Sequence, residues 1–186
     1  LDDDTSVDLT SNSFKPDSVV NYQGNRLDDT IDASEADQQY KNVIKVVNKK
    51  KTTVKEGTGV GVTINGGDGD DTITGSYYND TITTGASSSE GYNEIIFKVD
   101  PEKNNGNFGN DTVNLTENEN LVLNLKSLEL ENAPTYAVNG NNLVIQTEKG
   151  NITLVGFAKE KIAKSIMLQL DDDTSVDLTS SSFKPD

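Results

Sequence analysis

Nine consecutive residues near the middle of the chain decide the fold: Gly66-Gly67-Asp68-Gly69-Asp70-Asp71-Thr72-Ile73-Thr74. Their three glycines allow the backbone to turn with positive φ, a conformation in which other residues are strained. Ile73 alternates with two threonines, which is the pattern of a very short strand with one apolar side chain pointing inward. The stretch therefore predicts a tight glycine turn that leads into a short strand.

Weaker copies of this pattern stand directly on both sides. Residues 57–65 keep the glycines but have Val62 in place of the aspartate, and residues 75–83 keep Asp80 but lose the inner glycines. The inward-pointing residues of the three copies are nine positions apart: Ile64, Ile73 and Ile82.

The nine residues fit G-G-x-G-x-D-x-U-x, with U a large apolar residue, and so resemble the calcium-binding repeat of RTX proteins. The resemblance implies a parallel β-roll with two repeats per coil, in which the Val62 turn faces the Asp80 turn. The later part of the chain resembles the tail that follows the roll in haemolysin-type calcium-binding proteins, through Asn93–Phe97, Gly109–Val113, Asn142–Ile145, Gly150–Leu154 and Leu170–Thr174. We therefore expect an all-β fold, a short parallel β-roll followed by β-hairpins, with little helix.

A calcium site in such a roll needs more than one turn, because calcium takes about six to eight oxygen ligands. Residues 24–32 are a degenerate copy with Asp29 at the aspartate position. We expect the Asp29 turn to stack on the Asp71 turn, with residues 33–56 looped out as an insertion. Residues 106–114 form a second good copy. The candidate metal ligands are therefore Gly67, Gly69, Asp71, Asp80, Asp29, Gly109 and Asp111.

The composition favours binding or structural roles. The 186 residues carry a net charge of −15, and 32% of them are hydrophobic. A chain this acidic repels nucleic acids and anionic membranes, and none of its apolar runs is long enough to span a bilayer. The lack of histidine and cysteine removes the usual general base, the thiolate zinc site and disulfides. We therefore expect no enzymatic activity, no nucleic-acid partner and no membrane span.

The two ends of the chain are nearly identical. Residues 170–186 repeat residues 1–17 at an offset of 169, with one change, Asn12 against Ser181, and 16 matches in 17 are not chance. Such a long period indicates a tandem array of whole domains, although an artificial duplication would give the same pattern. Two copies cannot fill one position in a sheet. Residues 1–17 are therefore either the frayed end of a preceding repeat or a strand exchanged with a neighbouring copy.

These patterns predict how the chain is divided. Residues 1–17 belong to the preceding repeat or are an exchanged strand, residues 18–94 form the interrupted calcium roll, and residues 95–186 hold a second roll turn and a β-rich tail. Turns at 139–142, at 149–151 and at 171–173 predict hairpins in this tail. Phe157–Ser165 is expected to form a short helix.

Together these observations favour a structural module. Calcium would neutralise the carboxylates and fold the chain after export, because the RTX resemblance implies secretion without an N-terminal signal. We therefore expect a bacterial extracellular or cell-surface protein, exported by a type I-like route, whose neighbouring copies build a fibre, an adhesin stalk or a sheath. The alternatives are a non-catalytic RTX domain of a secreted hydrolase and a carbohydrate-binding adhesin module, in which exposed Tyr77, Tyr78 and Tyr92 stack on glycans.

Overall fold

The computed structural model describes residues 7–8, 21–24, 26–34, 40–47, 50–57, 61–158 and 163–185. These residues form short strands and two 3-10 helices, Asn104–Gly106 and Lys126–Leu128. The strands, in chain order, are β1 (Val7–Asp8), β2 (Asn21–Gln23), β3 (Thr30–Asp32), β4 (Tyr40–Val47), β5 (Lys50–Gly57), β6 (Thr63–Asn65), β7 (Thr72–Thr74), β8 (Thr81–Thr83), β9 (Asn93–Ile96), β10 (Gly109–Asn114), β11 (Glu119–Asn124), β12 (Thr135–Asn139), β13 (Asn142–Thr147), β14 (Gly150–Val155), β15 (Ala163–Gln169) and β16 (Ser175–Asp177).

Most of these strands belong to two seven-stranded sheets. Sheet I has the order β1-β3-β7-β9-β11-β15-β16, and sheet II has the order β12-β13-β14-β10-β8-β6-β2. The chain passes from sheet II to sheet I five times, through β2/β3, β6/β7, β8/β9, β10/β11 and β14/β15. Each of these strands pairs in parallel with the equivalent strand of the next coil. The described residues thus form five coils of a parallel roll, and the predicted all-β class is confirmed.

One apolar ladder runs through each sheet and fills the space between them. Every side chain of both ladders is at most 4% exposed. Because Ile73 lies in sheet I and its neighbours nine residues away lie in sheet II, the predicted alternation is confirmed. The ladder of sheet I is Ile31, Ile73, Ile95, Leu123 and Leu168. The ladder of sheet II is Ile64, Ile82, Val113, Leu154 and Leu143.

The core widens along the chain. Strands β3, β6, β7 and β8 have three residues each, with a single inward-pointing isoleucine. Strands β10, β11 and β14 have six residues, so further apolar side chains such as Leu121 and Ile152 are fully buried. Each buried isoleucine or leucine contributes about 1.5–3 kcal/mol. The later coils therefore hold more of the stabilising burial than the earlier ones.

The connections between the sheets form two edges of the roll. The short-turn edge contains the segments that lead from sheet II into sheet I: 24–29, 66–71, 84–92, 115–118 and 156–162. The insertion edge contains the segments that lead from sheet I back into sheet II: 33–62, 75–80, 97–108 and 125–149. Hairpins β4–β5 and β12–β13 both fall in connections of the insertion edge. The insertion predicted at 33–56 therefore lies between two coils that stack directly on each other, since β3 pairs with β7.

The two copies of the duplicated segment lie at opposite ends of sheet I. β1 pairs in parallel with β3, with Val7 opposite Ile31. β16 pairs antiparallel with β15, with Val176 opposite Leu168. The other predicted hairpins are confirmed as well, because β12, β13 and β14 pair antiparallel in sequence.

The expected helix at Phe157–Ser165 is wrong, because β15 begins at Ala163. The register that pairs β15 with β11 needs extended backbone there, and this tertiary pairing outweighs the local helix preference. Residues 159–162 lie outside the described part of the chain, as do most of residues 1–17. Within the described ranges no helix is long and apolar enough to cross a membrane.

Candidate metal centre

The aspartates of the short-turn edge stack on one another as the sequence predicted. The backbone N–H of Asp29 donates to Oδ1 of Asp71 at 2.9 Å, and the N–H of Asp71 donates to Oδ1 of Asn93 at 2.8 Å. The two aspartates are 42 residues apart in sequence. They meet because β3 and β7 are adjacent strands in register.

A second acidic column lies one residue earlier in the same turns. The N–H of Asp70 donates to Oδ1 of Asp28 at 2.9 Å. Asp70 in turn accepts from the N–H and the hydroxyl of Ser88, each at 2.8 Å. Two stacked turns therefore bring four carboxylates together, those of Asp28, Asp29, Asp70 and Asp71.

Asp71 is the most constrained of these carboxylates. Its side chain is 1% exposed, and its Oδ2 is buried without a hydrogen-bond partner. Burial raises the pKa of Asp71 to about 6. The hydrogen bond from Asp29 opposes this rise, and the negative charges of Asp29, Asp28 and Asp70 add to it. At neutral pH the ionised Asp71 therefore lies in a buried, negatively charged environment, and one of its oxygens has no hydrogen-bond partner.

Glycine lets the unpartnered oxygen come close to a carbonyl oxygen of the next coil. A Cβ on Gly66 would lie against Oδ2 of Asp71 and 2.5 Å from the carbonyl oxygen of Thr84. The same arrangement recurs one coil earlier, where a Cβ on Gly24 would lie 2.6 Å from Oδ2 of Asp29 and against the carbonyl oxygen of Gly66. At both glycines an aspartate oxygen of the same turn and a carbonyl oxygen of the next coil therefore approach the backbone, and a larger side chain would collide with them.

The predicted glycines of this turn have backbones that other residues would strain. Gly67 has φ of +111° and Gly69 has φ of +127°. A Cβ on Gly69 would also lie 2.7 Å from the carbonyl oxygen of Leu27 in the coil stacked on it. Gly69 is therefore required both for the turn and for the close approach of the two coils.

These donors fit a hard cation such as calcium, which prefers carboxylate and carbonyl oxygens. No three acidic side chains among the described residues converge to hold a metal ion by themselves. Backbone carbonyls, such as those of Gly66 and Thr84, would have to complete the ligand shell. A magnesium ion, which demands near-ideal octahedral geometry and retains water, fits such a buried site less well.

The insertion edge holds its buried aspartates differently. Asp80 accepts from the N–H of Val62 at 2.8 Å and from both the N–H and the hydroxyl of Ser76 at 2.6 Å. The Val62 turn thus stacks on the Asp80 turn, as predicted. Burial raises the pKa of Asp80 to about 6, and the bonds from Ser76 and Val62 oppose that rise.

Asp111 continues this column on the other side of Asp80. It accepts from the N–H of Asp80 at 2.9 Å. Burial, and then the charge of Asp80, raise the pKa of Asp111 well above its ordinary value. Gly109, with φ of +109°, starts its strand. The residues one position before these aspartates form a second column, and it consists of neutral asparagines. Asn79 accepts from the N–H of Asn110, and Asn110 accepts from the side-chain amide of Asn151.

Sequence reasoning missed three of these contacts. It did not place Asp111 on Asp80, because the connection at 97–108 breaks the regular spacing. It also missed Asn93, whose Oδ1 accepts from the N–H of Asp71 and which follows a turn that lacks the glycine pattern. Asn93 in turn hydrogen-bonds Glu119, which lies at the start of β11. An Asn or Glu just before an apolar strand is the only signal that could have identified them.

Glu119 is a fully buried carboxyl on the short-turn edge. It accepts hydrogen bonds from the hydroxyl of Thr84 and, at 2.7 Å, from the N–H of Thr116. Burial raises the pKa of Glu119 to about 7, and the bonds from Thr84, Thr116 and Asn93 oppose this rise.

The expectation of three exposed tyrosines is corrected. Tyr77 is buried, and the ammonium group of Lys103 lies 4.8 Å from the centre of its ring. Tyr77 faces inward because the insertion-edge loop at 97–108 packs over its turn, as the hydrogen bond from Asn104 to its carbonyl shows. Tyr78 is partly buried, whereas Tyr92 is 53% exposed. The three rings therefore do not form one exposed surface.

A scan against protein-family models gives no match for this chain, and a search of curated proteins gives none. The calcium site therefore stays a prediction, supported by the chemistry of the residues described above.

Proposed function

We propose that this chain is a calcium-dependent structural module of a bacterial extracellular or cell-surface protein built from tandem repeats. In this proposal calcium completes the folding of the roll after export, as the resemblance to RTX repeats suggests. The observation that carries the proposal is the buried carboxylate of Asp71, which has an unpartnered oxygen and lies beside three other carboxylates.

The electrostatics indicate what the cation would contribute. A pKa of about 6 instead of 3.8 means that holding Asp71 ionised in the metal-free fold costs about 3 kcal/mol at neutral pH. This is a large fraction of the total stability of a typical domain, which is about 5–15 kcal/mol. A divalent cation at this position removes the repulsion between the carboxylates and supplies the missing partner of Oδ2. Binding energy of this kind is folding energy.

The residues that would hold the ion belong to two stacked turns. The carboxylates of Asp71 and Asp29 would supply charged oxygens, and the carbonyl oxygens of Gly66 and Thr84 lie close to them at Gly24 and Gly66. The positive φ of Gly67 and Gly69 shapes the same turn. Extracellular calcium modules bind with dissociation constants of about 10⁻⁴–10⁻³ M, so such a module would stay metal-free at cytosolic calcium concentrations and bind calcium outside the cell.

The duplicated segment supports the tandem-repeat part of the proposal. A period of 169 residues is the size of a whole domain, and neighbouring copies of the module are then its natural partners. Repetition of such a unit would build a fibre, a stalk or a sheath.

Thermal unfolding followed by circular dichroism tests the calcium part. We expect the melting temperature to rise on adding calcium to chelator-treated protein, with a midpoint in the submillimolar to millimolar range. Magnesium at the same concentration and ionic strength serves as the control and should give a much smaller rise. Equal melting temperatures in calcium and in chelator would refute the proposal.

A further inference from the structure

The two ends of sheet I are occupied by the same sequence. β1 and β16 are the first and last strands of this sheet, and Val7 and Val176 hold equivalent places in the duplicated segment. One copy pairs in parallel with β3, and the other pairs antiparallel with β15. The backbone hydrogen bonds show which edge of the segment each pairing uses.

On β16, the edge that faces β15 carries the backbone groups of Val176. The N–H of Leu178 donates to the carbonyl of Ile166 at 2.9 Å, and the carbonyl of Thr174 accepts from Leu170 at 3.0 Å. The N–H and C=O of one residue point to the same side, and this side alternates along a strand. The groups of Val176 therefore face β15, and those of Ser175 and Asp177 face away from it.

On β3, two bonds identify the edge that receives β1. The N–H of Thr72 donates to the carbonyl of Asp29 at 2.8 Å, and the N–H of Ala33 donates to the carbonyl of Thr74 at 2.9 Å. The odd-numbered residues of this strand thus bond to β7, and β1 must bond to the groups of Thr30 and Asp32. In a parallel ladder the residue opposite Ile31 makes both of these bonds. That residue is Val7, so its backbone groups face β3.

Both pairings therefore use the same edge of the segment. A single copy cannot pair with β15 and with β3 at the same time, since each would need the N–H and C=O of the same valine. We propose that the duplicated segment is a docking strand with two alternative receptors: β15 of its own module and the open edge of β3 in a neighbouring copy of this chain.

The receptors share an apolar surface, and further contacts are described beside β15. The register places the valine opposite Leu168 at one end and opposite Ile31 at the other, and both partners are almost fully buried. Beside β15 the segment also places Phe183 edge-to-face with Tyr136 and Phe157, at centroid distances of 5.0 and 6.3 Å. These rings favour docking within the module, and docking on a neighbour requires that they separate.

This inference rests on the tandem-repeat part of the proposed function. Its test does not rely on a response to calcium, because every measurement is made in the same excess of calcium.

The probe is a fluorescent peptide with the sequence of residues 170–186, and its binding to the full chain is followed by anisotropy. The unchanged chain has both receptors covered and should bind no peptide. The full chain with Val7→Pro should open β3 and bind one peptide, because proline removes the N–H that bonds to β3. The full chain with Val176→Pro should open β15 and also bind one.

Two altered peptides test whether both receptors bind the same edge of the docking strand. A peptide with Val176→Pro should bind both opened chains about tenfold more weakly or worse, because both ladders need that N–H. A peptide with Ser175→Pro is the matched control and should bind both chains like the unchanged peptide, because its missing N–H faces away from the receptor.

The proposal is overturned if the Val7→Pro chain, shown to be folded by circular dichroism, binds no peptide. It is also overturned if the Ser175→Pro peptide loses binding to β3 while the Val176→Pro peptide keeps it. If the Val176→Pro chain fails to fold, the Val7→Pro chain and the two peptides still decide the question. Failure of the calcium proposal would appear instead as equal melting temperatures with and without calcium.

Discussion

The two edges of the roll bury aspartates in equivalent turns, yet they stabilise them differently. On the insertion edge, Asp80 receives three hydrogen bonds from Ser76 and Val62. On the short-turn edge, Asp71 keeps one oxygen without a partner and lies beside further carboxylates. One turn motif can therefore have its aspartate saturated by hydrogen bonds or left with an unpartnered oxygen, according to the residues around it.

The edges also differ in their connections. Both hairpin insertions and the loop at 97–108 fall on the insertion edge, whereas the described part of the short-turn edge, which joins the two strands of one coil, holds no hairpin. Successive turns stack on both edges, but among the described residues only the short-turn edge leaves a buried carboxylate oxygen without a partner. We therefore expect calcium dependence to be confined to the short-turn edge.

The largest effect is expected from Asp71→Asn. In chelator this variant should be more stable than the unchanged chain at pH 7.5 by about 2–3 kcal/mol, because it removes a buried charge. Its stability should no longer respond to calcium. Urea unfolding with and without calcium measures both effects. The control, Asp80→Asn, should lose stability equally in both conditions, because both of its oxygens accept hydrogen bonds and an amide NH2 in place of one of them would face a donor of Ser76 or Val62. It should keep its calcium response, and a lost response in Asp80→Asn alone would reverse the assignment of the edges.

Gly69→Ala should disturb the same edge through the backbone. Its φ of +127° and the nearby carbonyl of Leu27 predict a loss of about 2 kcal/mol, together with weaker calcium binding. Gly140→Ala, in the β12–β13 turn of the insertion edge, is the matched control. Its φ is +61° with nothing within 4 Å of the added Cβ, so a loss of only about 1 kcal/mol is expected. Equal losses in calorimetric melting would contradict the requirement for close approach at Gly69.

Glu119→Gln should change the pH dependence of stability. The pKa of Glu119 is raised from 4.5 to about 7 in the fold, so the folded chain holds this proton more tightly than the unfolded chain. The resulting stabilisation is full below about pH 4.5 and is lost as the pH rises to about 7. In chelator, the variant should gain about 2 kcal/mol relative to the unchanged chain between pH 5 and pH 8. Asp71 and Asp80 titrate in both proteins and cancel in this difference.

The control for this pH experiment is Glu148→Gln. Glu148 is an exposed carboxylate that accepts from Asn132 and Glu131, and its pKa is lowered. Its contribution is therefore lost as the pH falls, so its substitution should leave the stability difference between pH 5 and pH 8 unchanged. Loss of the pH dependence of stability in Glu148→Gln, or a pH dependence in Glu119→Gln equal to that of the unchanged chain, would argue against the buried Glu119 as its origin.

The smallest effect is expected from Ser76→Ala on the insertion edge. The variant removes the hydroxyl that donates to Asp80, at a cost of about 1.5 kcal/mol. This loss should be equal in calcium and in chelator, as measured by urea unfolding. A loss seen only in chelator would mean that a cation also occupies the Asp80 turn.

The sequence was most informative where its spacing was regular. The nine-residue interval of Ile64, Ile73 and Ile82 predicted the two sheets and their alternation, and the degenerate glycine turn at 24–29 predicted the contact between Asp29 and Asp71 across an insertion. The contact between Asp80 and Asp111 could not be predicted, because stacking depends on which strands pair and not on the length of the chain between them. Burial of Glu119 and Tyr77 depends in the same way on neighbours that are distant in sequence.

The lengthening of the strands along the chain gives the roll a graded stability. The three-residue strands of the first coils bury one apolar side chain each, and these are also the coils that contain the acidic turns. The six-residue strands β11 and β14 farther along bury two apolar side chains each, and each offers a formed edge to the strand of the coil before it. Folding of the roll is therefore expected to begin at its wide end and to proceed towards the N-terminus, where each coil is templated by the one already formed.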